Sequence, residues 1–212
     1  MPPLPFHTSG RRIHVVGNTS AGKSTLGQRL AAILDVPFVE LDAINWQPDW
    51  VGLVDTNPER FESEVAAATA ADGWVVAGSY FSFSQKILWP RVQTVVWLDP
   101  PMPVLIWRVM TRSWRRWRTK ELLWGTNYER FWPQLMLWSR QHSLIYWAVT
   151  QGGHKRRRMR AAMADPTWAH IRFVRLTSRG EVEQLVASAA SNPQAAKTPA
   201  TRSRVPPAPT EG

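Results

Sequence analysis

Apolar residues in this chain fall into two rhythms. Short, nearly continuous runs rich in Val and Ile recur at intervals: "RIHVV" (12–16), "PFVELD" (37–42), "WVVAG" (74–78), "TVVWLD" (94–99) and "IRFVRL" (171–176). Each is strand-length and predicts a strand buried on both faces. Between them the spacing changes. After Lys23, the residues Leu26, Leu30, Ile33 and Leu34 recur every three or four positions, which predicts a helix. Thr56-Asn57-Pro58-Glu59 has polar capping residues, a first-turn proline and an early acid, so a helix is expected from there to about Ala71. Pro100, Pro101 and Pro103 open another helix that runs through Arg108 and Arg112. Ser178 with Glu181 forms a capping box for a last helix to about Ser188. Strands alternating with helices imply an α/β fold with a parallel sheet covered on both sides, and such sheets bind ligands at the carboxyl ends of their strands.

The flanks and one long insertion break the rhythm. Residues 1–11 are expected to be loose, 12–190 to form one domain, and 191–212, rich in Pro, Ala, Thr and Ser, to form a disordered tail. Residues 113–165 are helical in propensity, basic and rich in Trp, with breaks expected at Gly125 and at Gly152-Gly153. That segment is expected to be a lid, with these glycines as hinges.

The chain has 212 residues and no cysteine, which excludes disulfides and thiolate metal sites. No signal-peptide pattern and no apolar run of about 18 residues is seen, so a cytoplasmic protein with no membrane partner is expected. The formal net charge is +10, concentrated in Arg108–Lys120 and Lys155–Arg160. A basic surface attracts polyanions, so nucleic acid is a candidate partner. It is the less favoured one, because the basic residues fall where a lid belongs. The oligomeric state is not legible in the sequence.

The stretch that carries chemistry is "VVGNTSAGKSTL" (15–26). Gly17-Asn18-Thr19-Ser20-Ala21-Gly22-Lys23-Ser24 satisfies G-x-x-x-x-G-K-[ST] between a predicted strand and a predicted helix. In this motif the glycines let backbone N–H groups turn inward onto phosphate, and the helix adds its positive end. Lys23 is expected to reach the β- and γ-phosphates, and Ser24 to ligate Mg²⁺. Thr25 and Arg108 are expected to complete the nucleotide contacts. The guanine-reading Asn-Lys-x-Asp pattern is absent, so the nucleotide is expected to be ATP.

Asp42 ends the second predicted strand, on the same face as Glu40. It is expected to orient Mg²⁺, directly or through water, or to accept the proton of an acceptor hydroxyl. Arg112 and Arg116 are expected to stabilise charge on the moving phosphoryl group. Trp46, Trp50, Tyr80 and Arg91 are expected to line the acceptor site, the acceptor being a nucleoside monophosphate or another small metabolite. The alternatives are a nucleic-acid-binding protein that holds ATP as a structural ligand, and a weakly catalytic nucleotide sensor.

These residues sit among further motifs: "ELDAINWQPDW", "GWVVAGSY", "WPRVQTVVWLDPP", "LLWGTNYERF" and "SLIYWAVTQGGHKRRRMR". Over about residues 12–188 the chain resembles the adenylate-kinase-like P-loop proteins known as DNA topology modulation proteins (FlaR-type). The resemblance implies a three-layer P-loop NTPase sandwich, nucleoside-kinase-like, with a five-stranded parallel sheet and an arginine-bearing helical lid. It implies that Asp42 matches the strand-two acid facing the acceptor. It also exposes a departure. Relatives read W-[IV]-x-D-G-N-Y where this chain has Trp74 to Tyr80, so Ala77 replaces an acid of the Mg²⁺ shell and Ser79 replaces Asn. Asp99 is the weaker substitute for that acid. If Mg²⁺ positioning limits the rate, Ala77→Asp is expected to raise activity.

Overall fold

The β-branched runs form one parallel sheet. The computed structural model describes residues 10–120, 122–123, 127–128 and 144–191, with backbone only at 128 and 144–151. Strands β1 (Arg12–Gly17), β2 (Phe38–Glu40), β3 (Trp74–Ala77), β4 (Thr94–Leu98) and β7 (Arg172–Leu176) pair in parallel in the order β2-β3-β1-β4-β7. Successive side chains of β1 alternate between the two faces. Ile13 and Val15 pack with Leu26, Leu30, Leu185 and Val186 of α1 (Lys23–Leu34) and α8 (Arg179–Ala190). Val16 packs on the opposite side with Val95, Trp97, Trp89 and Met159. The layers are therefore helix, sheet, helix, as expected for the α/β class.

The second layer is built from α2 (Leu41–Asn45), α3 (Leu53–Thr56), α4 (Pro58–Ala68), α5 (Phe81–Ile87) and α7 (Leu144–Ala164). Helix α6 (Met102–Thr119) follows β4, and a short antiparallel hairpin, β5 (Leu122–Leu123) with β6 (Asn127–Tyr128), comes next. The caps follow the sequence. Asn57 accepts from the Arg60 N–H at 3.1 Å with Pro58 in the first turn, and the Ser178–Glu181 capping box forms.

Four expectations change. The second strand stops at Glu40, and Asp42 lies in the first turn of α2. Residues 10 and 11 are held in place: Arg11 donates to the carbonyls of Leu34 and Asp35 at 2.9 and 2.7 Å. Gly152 and Gly153 make no break, because α7 runs through them without interruption. The later part of the expected lid belongs to the body, with Met159 and Ala162 buried in the core. The second hinge, Gly125, and the segments 1–9 and 192–212 lie outside the described residues. Among the described residues no helix is long and apolar enough to cross a membrane.

Chain order sets where a ligand can sit. From β1 the chain passes over to β2 at one edge, returns to β3, and then crosses β1 to β4 on the other side. The carboxyl ends of β1 and β3 therefore flank a crevice at the switch point, where open α/β sheets bind ligands.

Candidate functional site

The loop after β1 has the geometry that a phosphate cradle requires. Gly17 passes so close to β4 that a Cβ there would lie 2.6 Å from the Leu98 carbonyl oxygen. Gly22 caps α1 at φ +101°, a conformation that disfavours L side chains. Residues 18–22 thus turn above the start of α1 with its first N–H groups pointing out. The Lys23 ammonium folds back on the loop and donates to the Asn18 carbonyl at 3.0 Å. Burial lowers its pKa, Asp42 and Glu40 oppose that, and Arg112 adds to it. Arg108 ties α6 to the same loop, donating to the Ala21 carbonyl at 3.1 Å. Thr19 and Ser20 are partly buried in the loop, and Thr25 is exposed on the first turn of α1.

Two carboxylates face this loop from the end of β2. Ser24 donates its hydroxyl hydrogen to Glu40. Glu40 is the register partner of Ala77 on the neighbouring strand. In-register parallel neighbours point to the same face, so Glu40 occupies the side of the sheet on which an acid at 77 would stand. Sequence reasoning noted Glu40 without giving it a role; the signal was the E-x-D spacing at a strand's carboxyl end. Asp42 accepts from the Tyr80 phenol at 2.7 Å. Burial, reinforced by the Asp42 charge, pushes the Tyr80 pKa up, so this phenol stays a donor. Ser79, at the expected Asn position, closes the back of the crevice. Its hydroxyl donates to the Gly17 carbonyl at 2.7 Å and accepts from the Gly17 N–H at 3.1 Å.

The basic side combines expected and unexpected residues. Arg112 is close enough to act on Lys23, and Arg116 follows one turn later on the same face, partly buried. Lys155 of α7 belongs to the basic cluster at 155–160 and was given no role of its own. It is partly buried: burial, reinforced by Lys23 and opposed by Asp42, lowers its pKa to about 7. Asp99 is committed elsewhere. Its side chain is 6% exposed and accepts from Arg156 at 2.6 Å on one oxygen and from Arg175 at 2.6 and 3.0 Å on the other. It therefore pins α7 to β7 and is not free for the role of substitute acid expected of it.

The indoles of Trp46 and Trp50 meet edge to face, with centroids 5.7 Å apart, in the loop after α2. That loop is held from the hairpin. Asn127, 3% exposed, accepts from the Trp50 N–H at 2.9 Å and donates to the Gln47 carbonyl at 3.0 Å. Sequence reasoning assigned Asn127 nothing. Arg91 is a correction. It precedes β4, at the amino end of the sheet, and donates to the Thr69 hydroxyl at 3.0 Å, while the crevice lies at the carboxyl ends. The turn after α5 must return to start β4, and it carries Arg91 away from the crevice.

No protein-family model matches the chain, and no curated protein does. Solved structures do. A gluconokinase from Sinorhizobium meliloti 1021 aligns at 19% identity over 84% of this chain and 91% of that one, with a TM-score of 0.48. A shikimate kinase from Bacteroides thetaiotaomicron aligns at 18% over 83% and 94%, with a TM-score of 0.48. A shikimate kinase from Acinetobacter baumannii in complex with shikimate aligns at 19% over 84% and 90%, with a TM-score of 0.44. At these values the likeness says nothing about the chemistry of this chain.

Proposed function

We propose that the protein is a phosphotransferase that moves the γ-phosphoryl group of ATP to a hydroxyl of a small acceptor. One observation carries the reading: Lys23 and Ser24 of the loop meet Glu40 and Asp42 at the carboxyl end of the sheet. Residues 17–25 and Arg108 serve the donor. The donor set fits Mg²⁺, a hard cation that prefers oxygen ligands, because the Ser24 hydroxyl and the Glu40 carboxylate converge on the loop. Mg²⁺, when bound, neutralises charge on the donor phosphates.

The chain's own residues supply the rest. Asp42, held by Tyr80, accepts the proton of the acceptor hydroxyl as its oxygen bonds to phosphorus and the bond to the ADP oxygen breaks. Lys23, Arg112 and Arg116 offset charge on the moving group. Trp46, Trp50 and Tyr80 bound the acceptor.

The test is ADP release across nucleoside monophosphates, nucleosides and small hydroxy metabolites, with and without Mg²⁺. Lys23→Ala is expected to abolish ATP binding and turnover. Unchanged turnover in a clean preparation of that variant would sink the reading. The second, less favoured reading is a nucleic-acid-binding protein that holds ATP as a structural ligand, and it draws on Trp107, which is 70% exposed on α6, a helix with five arginines and no acid. Binding that falls steeply with salt and ignores Lys23→Ala would mark charge attraction alone.

A further inference from the structure

His14, two residues before Val16, stands on the face of β1 that α5 and α7 cover. A cavity of about 260 Å³ lies on that face and extends from His14 to Gly17 and Asn18 of the phosphate loop. Ser79, which closes the back of the crevice, lines it too, whereas Lys23 and Asp42 do not. The cavity therefore lies behind the crevice, between the sheet and its second helical layer.

Its inner walls are aromatic rings and thioethers. Phe81 and Trp89 meet edge to face with centroids 5.3 Å apart, and Trp97, Met102 and Met159 add to the lining. The polar groups around it are engaged. His14 accepts from the Trp89 indole N–H at 3.2 Å and pairs through its other ring nitrogen with the Gly78 carbonyl at 3.0 Å. The Ser79 hydroxyl serves both backbone groups of Gly17. At the edge, Arg156 donates to Asp99 at 2.6 Å, Arg158 lies over the Phe81 ring at 4.4 Å, and Lys155 has a partner of its own. Ser84 is the exception. It is 2% exposed, and its hydroxyl has no hydrogen-bond partner. Phe81, Ser84 and Leu88 recur at three- and four-residue spacing, so packing alone calls for an apolar residue at 84. Helical serines can bond back to the carbonyl four residues earlier, and the Ser84 hydroxyl does not.

We infer that this cavity is a second small-molecule site, which takes an uncharged single-ring aromatic compound whose one polar group bonds to Ser84. Size sets the ring: a dry cavity of about 150 Å³ binds benzene, so about 260 Å³ holds one substituted ring. The walls set the class, because aromatic rings and sulfur attract a π-system. The charges set neutrality. A carboxylate would lose its hydration and find Arg156, Arg158 and Lys155 already engaged. Ser84 sets the substituent: a buried hydroxyl left unmatched is costly, and one complementary polar group satisfies it.

The test measures binding of phenol, toluene and benzoate to the full chain at pH 7 by ligand-detected NMR. Phenol is expected to bind saturably, and benzoate at least about tenfold more weakly. Ser84→Ala is expected to weaken phenol about fivefold, the scale of one neutral hydrogen bond, and to leave toluene within about twofold. Ser84→Leu fills the space and is expected to abolish binding of both, with circular dichroism checking the fold. No saturable phenol binding would mean that water alone fills the cavity and would overturn the inference. So would benzoate binding as tightly as phenol, or equal effects of Ser84→Ala on phenol and toluene. Failure of the phosphotransferase reading leaves the phenol result untouched, because neither Lys23 nor Asp42 is in the walls.

Discussion

Replacing Glu40 by Gln tests how this chain manages without an acid at 77. The substitution keeps the shape and removes one charge beside Ser24. Glu40 is only partly buried and lies near Asp42, so losing its charge costs the fold little. The effect should appear in metal dependence. A carboxylate bonded to a metal-ligating side chain orients that ligand, and removing such a partner typically weakens metal affinity about 10- to 100-fold. That range corresponds to roughly 1.4–2.8 kcal/mol. The assay is ADP release at saturating ATP over a Mg²⁺ series, with half-saturation as the readout. The Glu40→Gln, Ala77→Asp double variant is expected to recover much of the loss, because the two positions are register partners on adjacent strands. A half-saturation within twofold of the unaltered protein for Glu40→Gln would refute the reasoning. With Glu40 present, Ala77→Asp alone is expected to bring no gain.

Other outcomes follow from the same structure. Asp99→Ala frees Arg156 and Arg175 together; both side chains are more than a third exposed and can rehydrate, so the expected loss is about 2–3 kcal/mol by urea melt, below the cost of a fully buried pair. His14 is 1% exposed, accepts from the Trp89 indole N–H at 3.2 Å and pairs through Nε2 with the Gly78 carbonyl at 3.0 Å. Burial lowers its pKa from 6.5 to about 4. Between those values the unfolded chain holds a proton that the folded one does not. Stability from this group is therefore full above pH 6.5 and falls by about 3 kcal/mol as pH drops to 4. An NMR titration showing His14 protonated at pH 6 would contradict this.

The fold was legible because five strand-length runs announced themselves and Pro, Asn57 and Ser178 marked helix starts. The loop was legible because its chemistry is local, with every necessary residue lying between Gly17 and Thr25. What failed to show was chemistry assembled across the sheet. Ala77 looked like a loss because the carboxylate beside it, Glu40, lies 37 positions away in sequence and is adjacent only through strand pairing. Lys155 drew no role because a run of like charges hides which member turns inward, and only the stripe through Met159 and Ala162 distinguishes it. Arg91 misled for the opposite reason: it is near Tyr80 in sequence but at the other end of the sheet. Gly152-Gly153 looked like a hinge, but α7 runs straight through both, with Gly152 buried beside Met102 and Asn18.

The Asn127 carboxamide has a kinetic consequence. It serves two backbone groups of the 47–50 loop at once, so lifting the hairpin gives up both hydrogen bonds together. With water replacing each, the net cost is about 1–3 kcal/mol. These two bonds alone make the lifted form a minority. If the acceptor sits against this loop, as proposed, its passage would wait on that minority and be slower than chemistry. Asn127→Ala would enlarge the minority, giving faster turnover with a poorer KM where release is the slow step. Stopped-flow measurement of product release distinguishes this from a purely structural role. A side chain that touches no phosphate would thereby set the pace of the cycle.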